Sequence, residues 1–139
     1  MRTIVTLLKR YILTLLTLIA ILCLTFYKPM GIVRTNTVVE IDKIVHFVMY
    51  FTLCAVFWYE SFKITLTPKK SLMALFAVIV PIIFSGVMEY LQYLLTSYRT
   101  GDLADFIFNT IGVLAALLFS LYVTRPCMLK CCKRGQGNG

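Results

Sequence analysis

A chain of 139 residues that is 60% hydrophobic and only 14% charged has too little polar surface to cover a soluble domain of its size. The net charge of +8 comes from short basic clusters flanking apolar runs, without any nucleic-acid recognition motif, so membrane lipids rather than nucleic acid are the expected partner. No repeat or low-complexity tract divides the chain, which reads as one domain over 1–126 with a basic, Cys-containing tail over 127–139.

The predicted fold class is all-α, a polytopic membrane bundle of four transmembrane helices over about 11–27, 44–62, 72–95 and 103–123. Each stretch is read as long enough to cross about 30 Å of hydrocarbon, which takes roughly 20 helical residues. Arg2, Lys9 and Arg10 precede the first. No A-x-A site follows it, and Ile21-Leu22 before Cys23 lacks the small residues of a lipoprotein cleavage site, so an uncleaved helix is expected. Lys28-Pro29-Met30-Gly31 ends it.

Near the end of the second stretch, Glu60 is expected to pair with Lys63. Trp58 and Tyr59, like Tyr27 and Tyr98, suit the interfacial aromatic belt. Thr67-Pro68 opens the third stretch with a capping hydroxyl and a proline at the first helical position, and Pro81 is expected to kink it and open space for a site above. Cys23 and Cys54 fall inside helices. Cys127, Cys131 and Cys132 share the tail, where a fourth ligand and C-x-x-C spacing are absent, so neither a metal nor a cofactor is predicted. Gly135-Gln136-Gly137-Asn138-Gly139 reads as disordered.

Four spans put ten of the 14 basic residues on one side: Arg2, Lys9 and Arg10, then Lys63, Lys69 and Lys70, then Arg125, Lys130, Lys133 and Arg134. The positive-inside rule then places both termini in the cytoplasm. The opposite side keeps Lys28, Arg34, Lys43 and Arg99 with Glu40, Asp42, Asp102 and Asp105.

The remaining polar residues fall into three sets. Asp42, His46 and Tyr50 are spaced by four, Glu89 and Gln92 by three, and Asp102, Asp105, Asn109 and Gly112 by three or four, so each set occupies one helix face. All three converge on the outer side. Burying such groups is costly, about 2.5 to 3.5 kcal/mol for a central charge, so they should face one another or water. Arg99 is placed to reach Asp102, Asp105 or Glu89. Asp102 and Asp105 also suit the first turn of the fourth helix. Gly112 and Ala116 form a small-xxx-small pair that would admit another helix closely beneath the site.

The order Asp42-Lys43-Ile44-Val45-His46-Phe47, Glu89-x-x-Gln92, Arg99, Asp102, Asp105, Asn109, Gly112 resembles the VanZ-like family over roughly 42–119. Members often carry proline or glycine just before the arginine, where this chain has Ser97-Tyr98. The resemblance implies a small integral protein of the bacterial envelope, related to a founding member associated with teicoplanin resistance. It also implies functional roles for Asp42, Lys43, His46, Glu89, Gln92, Arg99, Asp105 and Asn109.

Three functional classes fit these residues, beside a purely structural network that holds the helices in register. The first is recognition of a lipid-linked or cell-wall group, with Asp42, Lys43, Tyr50, Gln92, Arg99, Asp102 and Asn109 as binding residues. The second is an enzyme using His46, Glu89 and Asp105 for acid-base chemistry, although no nucleophile stands out. The third is a proton relay, which the scarcity of polar residues in the inner halves of the helices disfavours.

Overall fold

The computed structural model describes residues 6, 8–26, 36–64, 72–95 and 103–136. It contains α1 (Ile12–Phe26), α2 (Asn36–Ile64), α3 (Leu72–Leu95) and α4 (Leu103–Phe119), which continues through a π-helical turn (Ser120–Thr124) into α5 (Arg125–Gln136). No strand occurs among the described residues. Three segments, Ile41–Ile64, Leu75–Leu95 and Leu103–Cys131, are long and apolar enough to cross a membrane. The apolar stretch of α1, Ile12–Thr25, is shorter. Leu16, Ile44, Phe76, Ile83 and Leu118 are each more than half exposed, the surface expected where lipid takes the place of water. The fold is thus the all-helical bundle of a multi-pass membrane protein.

α2 begins at Asn36, well before the expected 44. Hydropathy places a boundary at Asp42 and Lys43, but a helix tolerates polar groups confined to one face, and the preceding Val38, Val39 and Ile41 continue the apolar pattern.

Helices α1 to α4 alternate in direction. The first turn of α1 meets Glu60 near the end of α2, while Thr25 near the end of α1 accepts a 2.8 Å bond from Gln92 near the end of α3. The most extensive packing joins α2 to α4. A Cβ at Gly112 would lie 2.6 Å from the Phe47 carbonyl oxygen and 3.1 Å from the Phe51 amide nitrogen, so the two backbones touch where the small-residue spacing predicted it. Ala116, one turn further on, is fully buried beside Tyr50, Cys54 and Val113.

A second cluster of Trp58, Phe62 and Ala77 packs against Met128 of α5. Trp58 therefore does not sit in an interfacial belt: it is 2% exposed, because its position one turn from both Cys54 and Phe62 shares their inward face. Only Tyr59 of that pair is exposed, and Tyr27 and Tyr98 lie outside the described residues. The π turn adds a residue to the winding and carries helical structure onward without a break. Gly135 and Gln136, expected to be disordered, close α5.

Glu60 also departs from expectation. Its carboxylate accepts bonds from the Leu13 and Thr14 amides, both 3.0 Å, and from the Thr14 hydroxyl, 2.6 Å. Lys63 instead places its Nζ 4.4 Å from the centre of the Tyr59 ring. The free amides at a helix start are a stronger lure for a buried carboxylate than an exposed lysine one turn away. Glu60→Ala should therefore cost about 1 kcal/mol, as loss of a helix cap does, whereas Lys63→Ala should be nearly neutral. Thermal melting of both variants in detergent checks this.

α3 runs through Pro81 as one helix. Space does open at the proline, but beside it: an apolar groove of about 360 Å³ between α1, α2 and α3, lined by Leu18, Leu53, Phe57, Val80 and Pro81 among others.

Candidate functional site

The polar cluster stands where α2, α3 and α4 meet. Glu89 is six residues before the end of α3 and Asn109 six residues into α4, which puts both roughly 9 Å along the axis from those helix ends. Asn109, 1% exposed, ties the three helices together. Its side-chain nitrogen donates to Ser85 Oγ at 2.8 Å and to Glu89 Oε1 at 3.4 Å, both on α3. Its oxygen faces His46 Nδ1 of α2 at 3.2 Å. Because the amide nitrogen is committed to α3, the oxygen is the acceptor for the imidazole, which fixes a proton on Nδ1 and turns Nε2 the other way.

Nε2 faces Asp105 Oδ2 at 3.9 Å, and Nδ1 lies 3.7 Å from Glu89 Oε1. The imidazole thus stands between two carboxylates from different helices, with His46 and Asp105 both buried. Asp105 lies in the first turn of α4, where the helix dipole favours its negative charge. Tyr50, one helical turn from His46 on the same face of α2, is buried. The result is a chain of polar contacts from Ser85 through Asn109 to His46.

Of the residues singled out in the sequence, His46, Tyr50, Glu89, Asp105 and Asn109 come together. Asp42 joins at the edge: one ligand atom from each of Asp42, His46 and Asp105 lies within 4.8 Å of the others. These are the residues whose spacing would suit a metal ion, a set invisible to a search for cysteine motifs. Gln92 points elsewhere through the contact with Thr25, binding α3 to α1. Lys43 is half-buried on α2. Arg99 and Asp102 lie outside the described residues. Sequence reasoning passed over Ser85, fully buried at the centre. Its position four residues before Glu89 places it on the same face of α3 and was the available signal.

The family model described as VanZ/LLP1 matches residues 10–124, a span that includes all of these residues. The chain belongs to the VanZ/LLP1 family. The match extends beyond the motif-bearing helices to take in α1 and the π turn. No curated protein and no solved structure matches the chain.

Proposed function

We propose that this VanZ/LLP1 protein spans the bacterial cytoplasmic membrane four times with both termini inside, and that its polar cluster recognises a lipid-linked or cell-wall group at the outer face. The observation that carries the reading is the convergence of His46, Glu89, Asp105 and Asn109 from three helices at one end of an otherwise apolar bundle. Ionisable groups held within membrane helices mark functional sites by default. The orientation rests on charge, since most of the basic residues flank the opposite end of the bundle. In this reading Lys43 and Arg99 supply the anion contacts, and Asp42, Tyr50 and Asn109 border the site. Such a protein would alter how the envelope presents itself to glycopeptides such as teicoplanin.

A second reading is an intramembrane enzyme acting on the same group. The imidazole between two carboxylates favours it, because His46 could pass a proton between Asp105 and Glu89 as charge develops on the substrate. The two readings part on conservative substitution. Recognition by charge predicts that Glu89→Gln is tolerated better than Arg99→Ala, whereas acid-base chemistry fails with either.

The test is teicoplanin susceptibility of a sensitive Gram-positive host expressing the wild-type chain, Glu89→Gln or Arg99→Ala, with membrane abundance and melting temperature recorded for each. Loss of the phenotype at normal abundance supports a functional site. Loss that tracks abundance or melting shows the cluster to be structural and ends both readings.

A further inference from the structure

The opposite end of the bundle carries a second recess, of about 630 Å³, bordered by Lys9, Arg10 and Lys63, with Glu60 among the lining residues. Glu60 is held by the start of α1 through its three hydrogen bonds and does not form an ion pair within 4 Å with any of these bases. Lys9 and Arg10 are exposed, and among the described residues neither is paired with a carboxylate. The recess therefore has a net positive charge at the mouth of the seam between α1 and α2.

The apolar groove beside Pro81 lies further along the same seam, on the far side of the contact between Glu60 and Thr14. Leu53, Phe57, Glu60 and Ile64 succeed one another on one face of α2 at intervals of three or four, the first two lining the groove and the last two the recess. Thr14, whose hydroxyl bonds Glu60, lines the groove on the α1 side. Every groove-lining residue except Thr14 is apolar. A cationic recess with an apolar groove further along the same seam matches one kind of molecule, with an anionic head and a hydrocarbon tail.

We propose that the α1–α2 seam binds one anionic phospholipid, its phosphate among Lys9, Arg10 and Lys63 and one acyl chain in the groove along Leu18, Leu53, Phe57 and Val80. The assignment does not depend on the reading of the His46 cluster. Charge complementarity selects the occupant: a zwitterionic lipid would match the groove but bring its own cation to the recess.

The test uses the full-length protein in neutral detergent, with native mass spectrometry and thermal melting in the presence of dioleoyl phosphatidylglycerol, dioleoyl phosphatidylcholine or inorganic phosphate. One phosphatidylglycerol per chain should be retained at least tenfold more tightly than phosphatidylcholine, with a rise in melting temperature that inorganic phosphate does not reproduce. The triple substitution Lys9→Ala, Arg10→Ala, Lys63→Ala should abolish the preference between the two lipids. Leu18→Trp should weaken retention of phosphatidylglycerol by filling the groove. Equal retention of both lipids by the wild-type chain, protection by inorganic phosphate alone, or a second copy of the chain displacing lipid from the seam would each overturn the proposal. The wild-type comparison decides the matter even if the triple variant does not fold.

Discussion

Gly112→Val should leave little folded protein in the membrane, and even Gly112→Ala should lower the melting temperature in detergent. At Gly112 the space that a side chain would need is taken by backbone. A Cβ there would stand 2.6 Å from the Phe47 carbonyl oxygen, and neither that carbonyl nor the neighbouring Phe51 amide can rotate away without unwinding a turn of α2. Overpacking in a tight core costs about 1 to 3 kcal/mol, and an obstacle made of main chain puts alanine toward the upper end and valine beyond it. Gly86 is the internal comparison. Its added Cβ would meet only the edge of the Phe106 ring, at 3.5 Å, an ordinary contact, and alanine is worth up to about 1 kcal/mol over glycine within a helix. Gly86→Ala should therefore melt at or above the wild-type temperature. If Gly112→Ala melts like the wild type too, α2 and α4 are not in backbone contact at this position.

The contrast between these two glycines shows what the sequence could and could not disclose. Gly112 was legible because a second small residue, Ala116, follows at the spacing that marks one face of a helix, whereas Gly86 carries no comparable pattern. The three polar sets were legible for the same reason: helical periodicity assigns His46, Glu89 and Asn109 to faces, and the scarcity of partners in an apolar chain leaves those faces little choice but one another. Periodicity is silent about which partner a residue chooses. Gln92 shares a face with Glu89 yet bonds the main chain of α1. Glu60 has a lysine at helical spacing yet caps a helix 46 to 47 residues away in sequence. Both contacts depend on α1, whose apolar sequence gives no clue to the side on which it docks. The start of α2 was missed for a different reason, since hydropathy registers the charge of Asp42 and Lys43 but not that a helix can carry charge on one face. Ser85 escaped notice because a lone serine in a membrane helix can bond its own backbone as readily as a neighbour.

Asn109→Leu should have the largest effect on the site itself, greater than loss of Ser85. The substitution nearly preserves volume while removing contacts to His46, Ser85 and Glu89 together. At an average of about 0.6 kcal/mol for each bond between membrane helices, the loss approaches about 2 kcal/mol, compared with about 0.6 kcal/mol for Ser85→Ala, which removes only the contact to Asn109. The two residues share a bond, so their effects should not add: the double variant should be more stable than the sum of the single losses predicts, by about 0.5 kcal/mol or more, in melting or denaturant titration. Fully additive losses would mean that the Asn109–Ser85 contact carries no energy. The chemical consequence goes further than the stability. Without the amide oxygen, nothing in the Asn109 position holds the His46 proton on Nδ1, so the ring is free to present either nitrogen to Asp105. A variant that accumulates and melts acceptably but has lost the envelope phenotype would assign the imidazole's orientation, rather than the bundle's stability, to function; an unchanged phenotype would show that the orientation of His46 is immaterial and reduce the cluster to a helix clamp.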